Sequence, residues 1–292
     1  MNDMKNPPPR ELSTEEIEKV FKTVEIPACP AIVVEAMKEA QKDVPDIVRL
    51  AKTISADVGM SAITIKLANS SLFRAGAAVT NVRKALERLG TMNVVCVVVA
   101  SALRSSMKGP SSSYIDRFWS KNSALALAAG MIARRHYGIS PDAAYTYALF
   151  HDAGIPLMLR RFPEYERVLE GCQASGKLLI GAEDSYFPCT HPVIGSLLVR
   201  NWGLPANLIQ AIRLHHEADV YDLPDTTLPG GSLSLIACVH VAEHMISELL
   251  GEKDYEVGDH LYERGIAHLG IAQEDMEQLR EDIVAAMNES KH

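Results

Sequence analysis

The stretch "ALFHDAGIPL", residues 148–157, places two polar side chains in an otherwise apolar run. Apolar residues precede and follow His151 and Asp152, which predicts that both lie on a buried helix. At least one of them must then point into the core, because adjacent residues on a helix point about 100° apart. A buried imidazole beside a buried carboxylate is typical of a metal site or of a hydrogen-bonded structural pair, and the pattern leaves both interpretations open.

The composition is that of an ordinary globular protein, with 292 residues of which 47% are hydrophobic and 23% charged. The net charge of −8 argues against direct nucleic-acid binding, since that depends on many Lys and Arg contacts with phosphates. The N-terminus "MNDMKNPPPR" lacks the apolar segment of a signal peptide, and the most apolar run, 94–103, is about half the length that spans a bilayer. Five cysteines without a C-x-x-C pair indicate a reducing compartment. We expect a soluble, cytoplasmic protein with no membrane partner.

Helix signals dominate the chain. Ser13 and Glu16 of "LSTEEIEKVF" stand in capping-box spacing, and Thr80 and Gly90 are placed to begin and to end another helix. The valine-rich run from Met92 onward has no partner strand and is interpreted as a buried helix that ends at residue 107. Further helices are predicted at about 26–43, at 44–71 as two short helices that break near 56–59, and at 114–137, 140–159, 190–199, 208–216, 232–250 and 272–288.

The predicted fold class is therefore all-α, with two helical lobes. The segment "KGPSSS", residues 108–113, has the composition of a hinge between them. The predicted organisation is a disordered N-terminus at 1–13, an N-terminal lobe at 14–107, a second lobe at 114–250 and a helical extension at 251–292.

Four of the other histidines on predicted helices of the second lobe are candidate ligands. His191 opens a helix behind Thr190 as its cap, His215 and His216 end the next helix, and His240 lies on an apolar stripe. Facing helices that each contribute an imidazole suit a metal ion inside a bundle, and imidazole with carboxylate suits zinc, iron, manganese or nickel. None of the spacings matches H-E-x-x-H, so core histidines bonded to carbonyls or to each other are the alternative.

The motifs resemble a known family in both lobes. "FHDAG" with "THPVIGSLLVRNWGLPANLIQAIRLHHE" resembles the HD superfamily of metal-dependent phosphohydrolases. "IPACPAIV" followed by "IVRLAKTISADVGMSAITIKLANSSLF" and "VRKALERLG" resembles the N-terminal lobe peculiar to its HDOD branch. The resemblance covers about residues 20–250 and implies an HDOD-specific lobe packed on an HD-like helical bundle, which makes 14–250 an HDOD domain. HDOD proteins are bacterial signalling modules, mostly without demonstrated catalysis.

The resemblance also implies a degenerate metal site. In active HD enzymes an early histidine, a central His-Asp pair and a late aspartate hold the metal. His151 and Asp152 match the central pair, whereas Asn122 falls on the early histidine and His240 on the late aspartate. An amide oxygen is a poor ligand for such metals, and an imidazole in place of aspartate removes a negative charge that offsets the dication.

Other histidines resemble ligands of the two-metal HD-GYP branch. His191 resembles the histidine of its "HPxxG" motif, and His215 and His216 resemble its paired histidines, but the "GYP" loop and the lysine after "HDxG" are missing. The predicted set of metal-ligating residues is His151, Asp152, His191, His215, His216 and His240. No cofactor is expected to be required, and a divalent transition metal, namely zinc, iron, manganese or nickel, is the one that this set could bind.

Two functions follow from the resemblance. The first is a non-catalytic signal-transduction output or adaptor module, without catalytic residues, that binds kinase, receiver or regulator proteins; residues after 251 are a candidate homodimer element. The second is a metal-dependent phosphohydrolase for a nucleotide or cyclic dinucleotide, in which His151 and Asp152 hold a metal that activates water. Asn122 and His240 favour the first.

Overall fold

The protein is described by a computed structural model that covers residues 24–106, 113–224, 226–228 and 231–290. Within these ranges the secondary structure is helical and contains no strand, so the all-α prediction is confirmed. The disordered N-terminus predicted at 1–13, the capped helix after it and most of the predicted hinge at 108–113 lie outside the described residues.

Within the described residues, the N-terminal lobe contains five helices. They are α1 (Ala31–Ala40), α2 (Ile47–Ser55), α3 (Val58–Ala68), α4 (Val82–Leu89) and α5 (Thr91–Ser106). The side chain of Asp57 accepts a hydrogen bond at the start of α3, which fixes the predicted break between two helices. Gly90 ends α4 as predicted, but the capping side chain is Asn81 and not Thr80, because the Asn81 side chain reaches the backbone N–H of Lys84. The valine-rich run is the buried helix α5.

The second lobe and the C-terminal residues form the remaining helices. They are α6 (Ser113–Arg134), α7 (Pro141–Phe150), α8 (Ile155–Arg161), α9 (Tyr165–Ser175), α10 (Leu179–Tyr186), α11 (His191–Asn201), α12 (Ala206–Leu214), a 3₁₀ turn (Val220–Asp222), α13 (Ser232–Leu249), α14 (Gly258–Leu269) and α15 (Gln273–Ser290). The sequence analysis did not predict α9, α10 or α14.

One continuous hydrophobic core joins the two lobes. Helix α6 packs along α7 and α13, and α5 of the first lobe packs on α7. Buried side chains run without interruption from Val24 in the first lobe to Ile283 on α15. Burial of this much apolar surface is the main stabilising contribution to such a fold, and it holds α7, α11, α12 and α13 around a common centre.

The prediction of one continuous helix over 140–159 is wrong. Helix α7 ends at Phe150, residues 151–154 form a turn, and α8 begins at Ile155. Pro156 explains the break, because it has no N–H for the carbonyl of Asp152 and its ring would clash with that carbonyl in a continuous helix. His151 and Asp152 therefore lie on a turn and not in mid-helix.

The turn is held by a close backbone contact. A Cβ atom added to Gly154 would lie 2.0 Å from the carbonyl oxygen of His191, the first residue of α11. Only glycine lets the two backbones approach this closely. The contact places Asp152 next to the N-terminus of α11.

No single helix among the described residues is both long and apolar enough to cross a membrane. One pair, Val82–Leu89 with Asn93–Ser106, passes a length and composition test together but is bent by 118°.

We predict that Gly154→Ala lowers the free energy of unfolding by about 1–3 kcal/mol, because the added methyl group would overpack against the backbone of α11. Gly181→Ala is the control: it lies on α10 with open space around it, and alanine there should be neutral or stabilise by up to about 1 kcal/mol. Urea unfolding of both variants measures the difference. Equal stability of Gly154→Ala and wild type would contradict the close contact.

Candidate metal centre

Four side chains from three parts of the second lobe converge at the centre of the bundle. Asp152 comes from the α7–α8 turn, His191 begins α11, and His215 and His216 directly follow α12. Each offers one ligand atom, and these four atoms lie within 4.8 Å of one another. The Asp152 Oδ1 atom is 3.3 Å from His191 Nε2 and 3.4 Å from His215 Nε2, and His216 Nε2 is 3.1 Å from His191 Nε2. Such a group of imidazole nitrogens and one carboxylate oxygen is a donor set that suits a divalent transition metal.

In His191 and His215, the partner of the outer ring nitrogen, Nδ1, determines whether the inner nitrogen, Nε2, is a donor or an acceptor. His191 Nδ1 is 2.8 Å from the Glu183 carboxylate, and His215 Nδ1 is 2.6 Å from the carbonyl of Ile212. Because a carboxylate and a carbonyl only accept, both Nδ1 atoms donate, and the Nε2 atoms of the neutral rings carry lone pairs. These lone pairs face Asp152 Oδ1, which is itself an acceptor.

The inner atoms consequently lack partners. Asp152 Oδ1 and His215 Nε2 are buried and have no hydrogen bond. Buried polar atoms without partners are uncommon in folded proteins, because each one costs about 1–3 kcal/mol. A proton or a metal cation between these atoms would turn mutual repulsion into attraction, so the residues fit a metal ion.

Glu183 fixes His191 in place and was missed by the sequence analysis. Its Oε2 atom accepts hydrogen bonds from both the ring Nδ1 and the backbone N–H of His191, and its Oε1 atom accepts one from the hydroxyl of Tyr165. Thr190, predicted as the side-chain cap of α11, makes no such bond. Glu183 is fully buried on α10, a helix that the sequence analysis did not predict. A carboxylate that holds the outer nitrogen of an imidazole is a common second partner of metal-binding histidines.

His151 lies beside the group of four. Its Nδ1 atom donates to the carbonyl of Ala148 at 2.8 Å, and its Nε2 atom is 2.9 Å from Asp152 Oδ2. Burial lowers the pKa of His151, but the Asp152 carboxylate outweighs this effect and raises it, so the ring also carries a proton on Nε2. It donates this proton to the carboxylate oxygen that faces away from the other histidines, which orients Asp152.

The structure does not bring the ring nitrogens of His240 into the group. Its Nε2 atom donates to the backbone carbonyl of His215 at 2.7 Å, and its Nδ1 atom accepts from the hydroxyl of Tyr221 at 2.8 Å. Both nitrogens are occupied, so His240 supports the segment that carries His215. The ring is fully buried on α13.

A small polar cavity borders the group. Asn122, Lys121 and Glu243 line it together with His151 and Asp152, and its volume is about 20 Å³. This is space for about one water molecule or ion. Asn122 is buried and its side-chain oxygen has no hydrogen-bond partner, while Lys121 pairs with Glu243 at 2.5 Å. The position that the resemblance assigns to the early histidine thus does lie at the site.

Burial and charge perturb the pKa values of the cluster. Burial lowers the pKa of His215 to about 4 and that of His240 to about 3. For His191 burial acts in the same direction, but the Glu183 carboxylate outweighs it and raises the pKa of His191 well above its usual value. Burial favours neutral Asp152, yet the ring of His151 holds the pKa of Asp152 well below its usual range. An ionised Asp152 can bind a cation, and a bound cation would displace the proton that the raised pKa assigns to His191.

Residues 26–218 match the profile of the HDOD domain. The chain belongs to the HDOD family. The resemblance noted in the motifs of both lobes is thereby confirmed, and the region that matches includes Asp152, His191, His215 and His216.

Solved structures share the HDOD fold over nearly the whole chain. An HDOD domain protein with unknown function from Geobacter sulfurreducens is 21% identical with a TM-score of 0.70, and the match covers 96% of this chain and 97% of that one. A candidate phosphohydrolase from Shewanella amazonensis is 20% identical with a TM-score of 0.70, covering 96% and 98% of the two chains. At these identities the likeness shows the fold alone.

A curated relative from Treponema pallidum, described as an uncharacterized protein, is 28% identical over 240 residues. The aligned residues make up 80% of this chain and 44% of the relative, so the chain spans less than half of that protein's length.

We predict that His240→Leu lowers the free energy of unfolding by about 1–3 kcal/mol while leaving metal uptake intact, because it leaves the carbonyl of His215 and the hydroxyl of Tyr221 without partners. Tyr221→Phe, which removes one hydrogen bond, should cost about 0.5–1.5 kcal/mol. Thermal or urea unfolding with metal analysis of the folded variants checks both. Loss of metal from a folded, equally stable His240→Leu variant would instead make His240 a ligand.

Proposed function

We propose that this HDOD protein is a signal-transduction module that binds partner proteins and holds one divalent transition metal in a closed, non-hydrolytic site. Asp152, His191, His215 and His216 are the ligands, His151 and Glu183 orient them, and no residue acts as a catalyst. The observation that carries the proposal is that Asp152 Oδ1 and His215 Nε2, which lie 3.4 Å apart, are both buried without a hydrogen-bond partner.

Space around the site supports a role other than hydrolysis. The His191, His215 and His216 rings are buried, and the adjoining cavity of about 20 Å³ is far smaller than a nucleotide. A bound metal could in principle lower the pKa of a coordinated water, but hydrolysis also requires an open coordination position that a substrate can reach. A bound metal would instead stabilise the fold of the second lobe, because an ion that binds only the native state raises the free energy of unfolding.

The N-terminal lobe offers surface for a partner. Val44 and Val58 are 85% and 84% exposed, and Val48 on α2 is also exposed, all on the short helices or the connections between them. Burial of exposed apolar side chains by a partner is favourable, because it removes apolar surface from water. The proposed partners are kinase, receiver or regulator proteins. A homodimer formed through the residues after 251 stays a prediction.

We predict near-stoichiometric zinc, iron, manganese or nickel in protein purified without chelator, and loss of that metal in Asp152→Asn and His191→Ala. His268→Ala is the control, because His268 lies on the exposed part of α14 away from the cluster. Elemental analysis of folded protein is the measurement.

The same samples test catalysis. Metal-loaded protein should show no turnover of a phosphodiester or a cyclic dinucleotide. A metal-free preparation that takes up no added metal would contradict the proposed site, and rapid metal-dependent cleavage would favour the phosphohydrolase alternative.

We predict that the double substitution Val48→Glu and Val58→Glu removes binding of the signalling partner without affecting the fold, because both side chains are already in contact with solvent. Val284→Glu on α15 is the matched control on a different surface. Affinity purification from source cells, followed by titration of each recovered signalling protein, measures the loss. Equal binding by the double variant and the control would exclude this surface.

A further inference from the structure

The segment 251–258, which joins α13 to α14, lies beyond the residues that match the HDOD family and reaches the metal centre. Asp254 organises it: one carboxylate oxygen accepts from the backbone N–H groups of Glu256 and Val257, and the other accepts from that of Gly258. The same carboxylate is 3.2 Å from Nδ1 of His244 on α13. The segment is therefore a built turn with a defined conformation.

Three contacts attach this turn to the body of the second lobe. The backbone carbonyl of Tyr255 accepts a hydrogen bond from the N–H of Leu179 at 2.8 Å, and the Lys253 ammonium donates to the carbonyl of Ala174. The Tyr255 ring lies beneath the ammonium group of Lys121, 5.1 Å from its centre. These contacts place the next residue, Glu256, over the cavity.

The Glu256 side chain points inward. Glu256 is 4% exposed, lines the cavity with His151 and Asp152, and has its Oε2 atom 3.5 Å from His216 Nε2. This oxygen has no hydrogen-bond partner. An unpartnered carboxylate oxygen in such a place is costly unless a cation or a proton meets it.

The charge balance of the proposed metal centre gives the Glu256 carboxylate a role. His240 supplies no negative charge to the site, and both of its ring nitrogens are occupied by other partners. Asp152 alone leaves a dication undercompensated among neutral imidazoles. Nearby Lys121 already pairs with Glu243, so it does not satisfy the Oε2 atom of Glu256.

We propose that Glu256 supplies the missing second carboxylate as a further ligand of the metal held by Asp152, His191, His215 and His216. The inference rests on the proposed metal function. Metal binding would thereby tie the 251–258 turn, and the start of α14 with it, to the turn that carries Asp152. Without the cation, this link between the two turns is absent. Metal occupancy would in this way alter the C-terminal surface.

The test compares Glu256→Gln with Glu252→Gln. Glutamine keeps the shape of a protonated glutamate but cannot contribute negative charge, and Glu252 lies on the same turn, 4.0 Å from Lys121, without reaching the cluster. Zinc affinity is measured by competition with a chelator, and hydrogen exchange of the 251–258 amides is measured with and without zinc. We expect Glu256→Gln to bind zinc at least about tenfold more weakly and to lose the zinc-dependent protection of the turn. Glu252→Gln should behave as wild type.

The outcomes separate the two proposals. Wild-type affinity and zinc-independent protection in Glu256→Gln would overturn the role of Glu256 while leaving the four-residue site intact, and would indicate a protonated, purely structural Glu256. Wild-type protein that binds no zinc would remove both. If Glu256→Gln does not fold, Glu256→Asp provides the test: it keeps the charge but retracts it, and wild-type zinc affinity in this variant would count against direct ligation.

Discussion

The second lobe depends on an arrangement at Asp152 in which hydrogen-bond acceptors face one another. The carbonyl of Ile212 and the carboxylate of Glu183 fix the outer nitrogens of His215 and His191 as donors. When these rings are neutral, their inner nitrogens present lone pairs to a carboxylate oxygen. Buried acceptors that face one another are unfavourable unless a positive charge lies between them. The fold of the second lobe keeps them together, which implies that a cation or protons belong to its native state.

A few close contacts between the helices hold these acceptors in place. Gly154 lets the α7–α8 turn touch the first residue of α11, and Glu183 joins α10 to the same residue through two hydrogen bonds. His240 holds the carbonyl of His215 from α13. A site built from so many elements links the state of its centre to the packing of the whole lobe, which would suit the proposed signalling role.

The sequence predicted the helical class, most helices and the residues that converge, because apolar periodicity and the histidine motifs are local signals. It failed where a distant contact decides the structure. The end of α7 depends on Pro156 and on the approach of α11. The hydrogen bonds of His240 join it to Tyr221 and to the carbonyl of His215, which are distant in the sequence. Glu183 and Glu256 carry no motif, and only the fold shows that they face the cluster. The role of the predicted ligands themselves stays a prediction.

The most direct test is a crystal structure of protein purified without chelator, with diffraction data collected on both sides of the zinc, iron, manganese and nickel absorption edges. The account predicts one anomalous peak at bonding distance from Asp152, His191, His215 and His216. Clear density without such a peak, in which protonated rings donate to Asp152 directly, would contradict it.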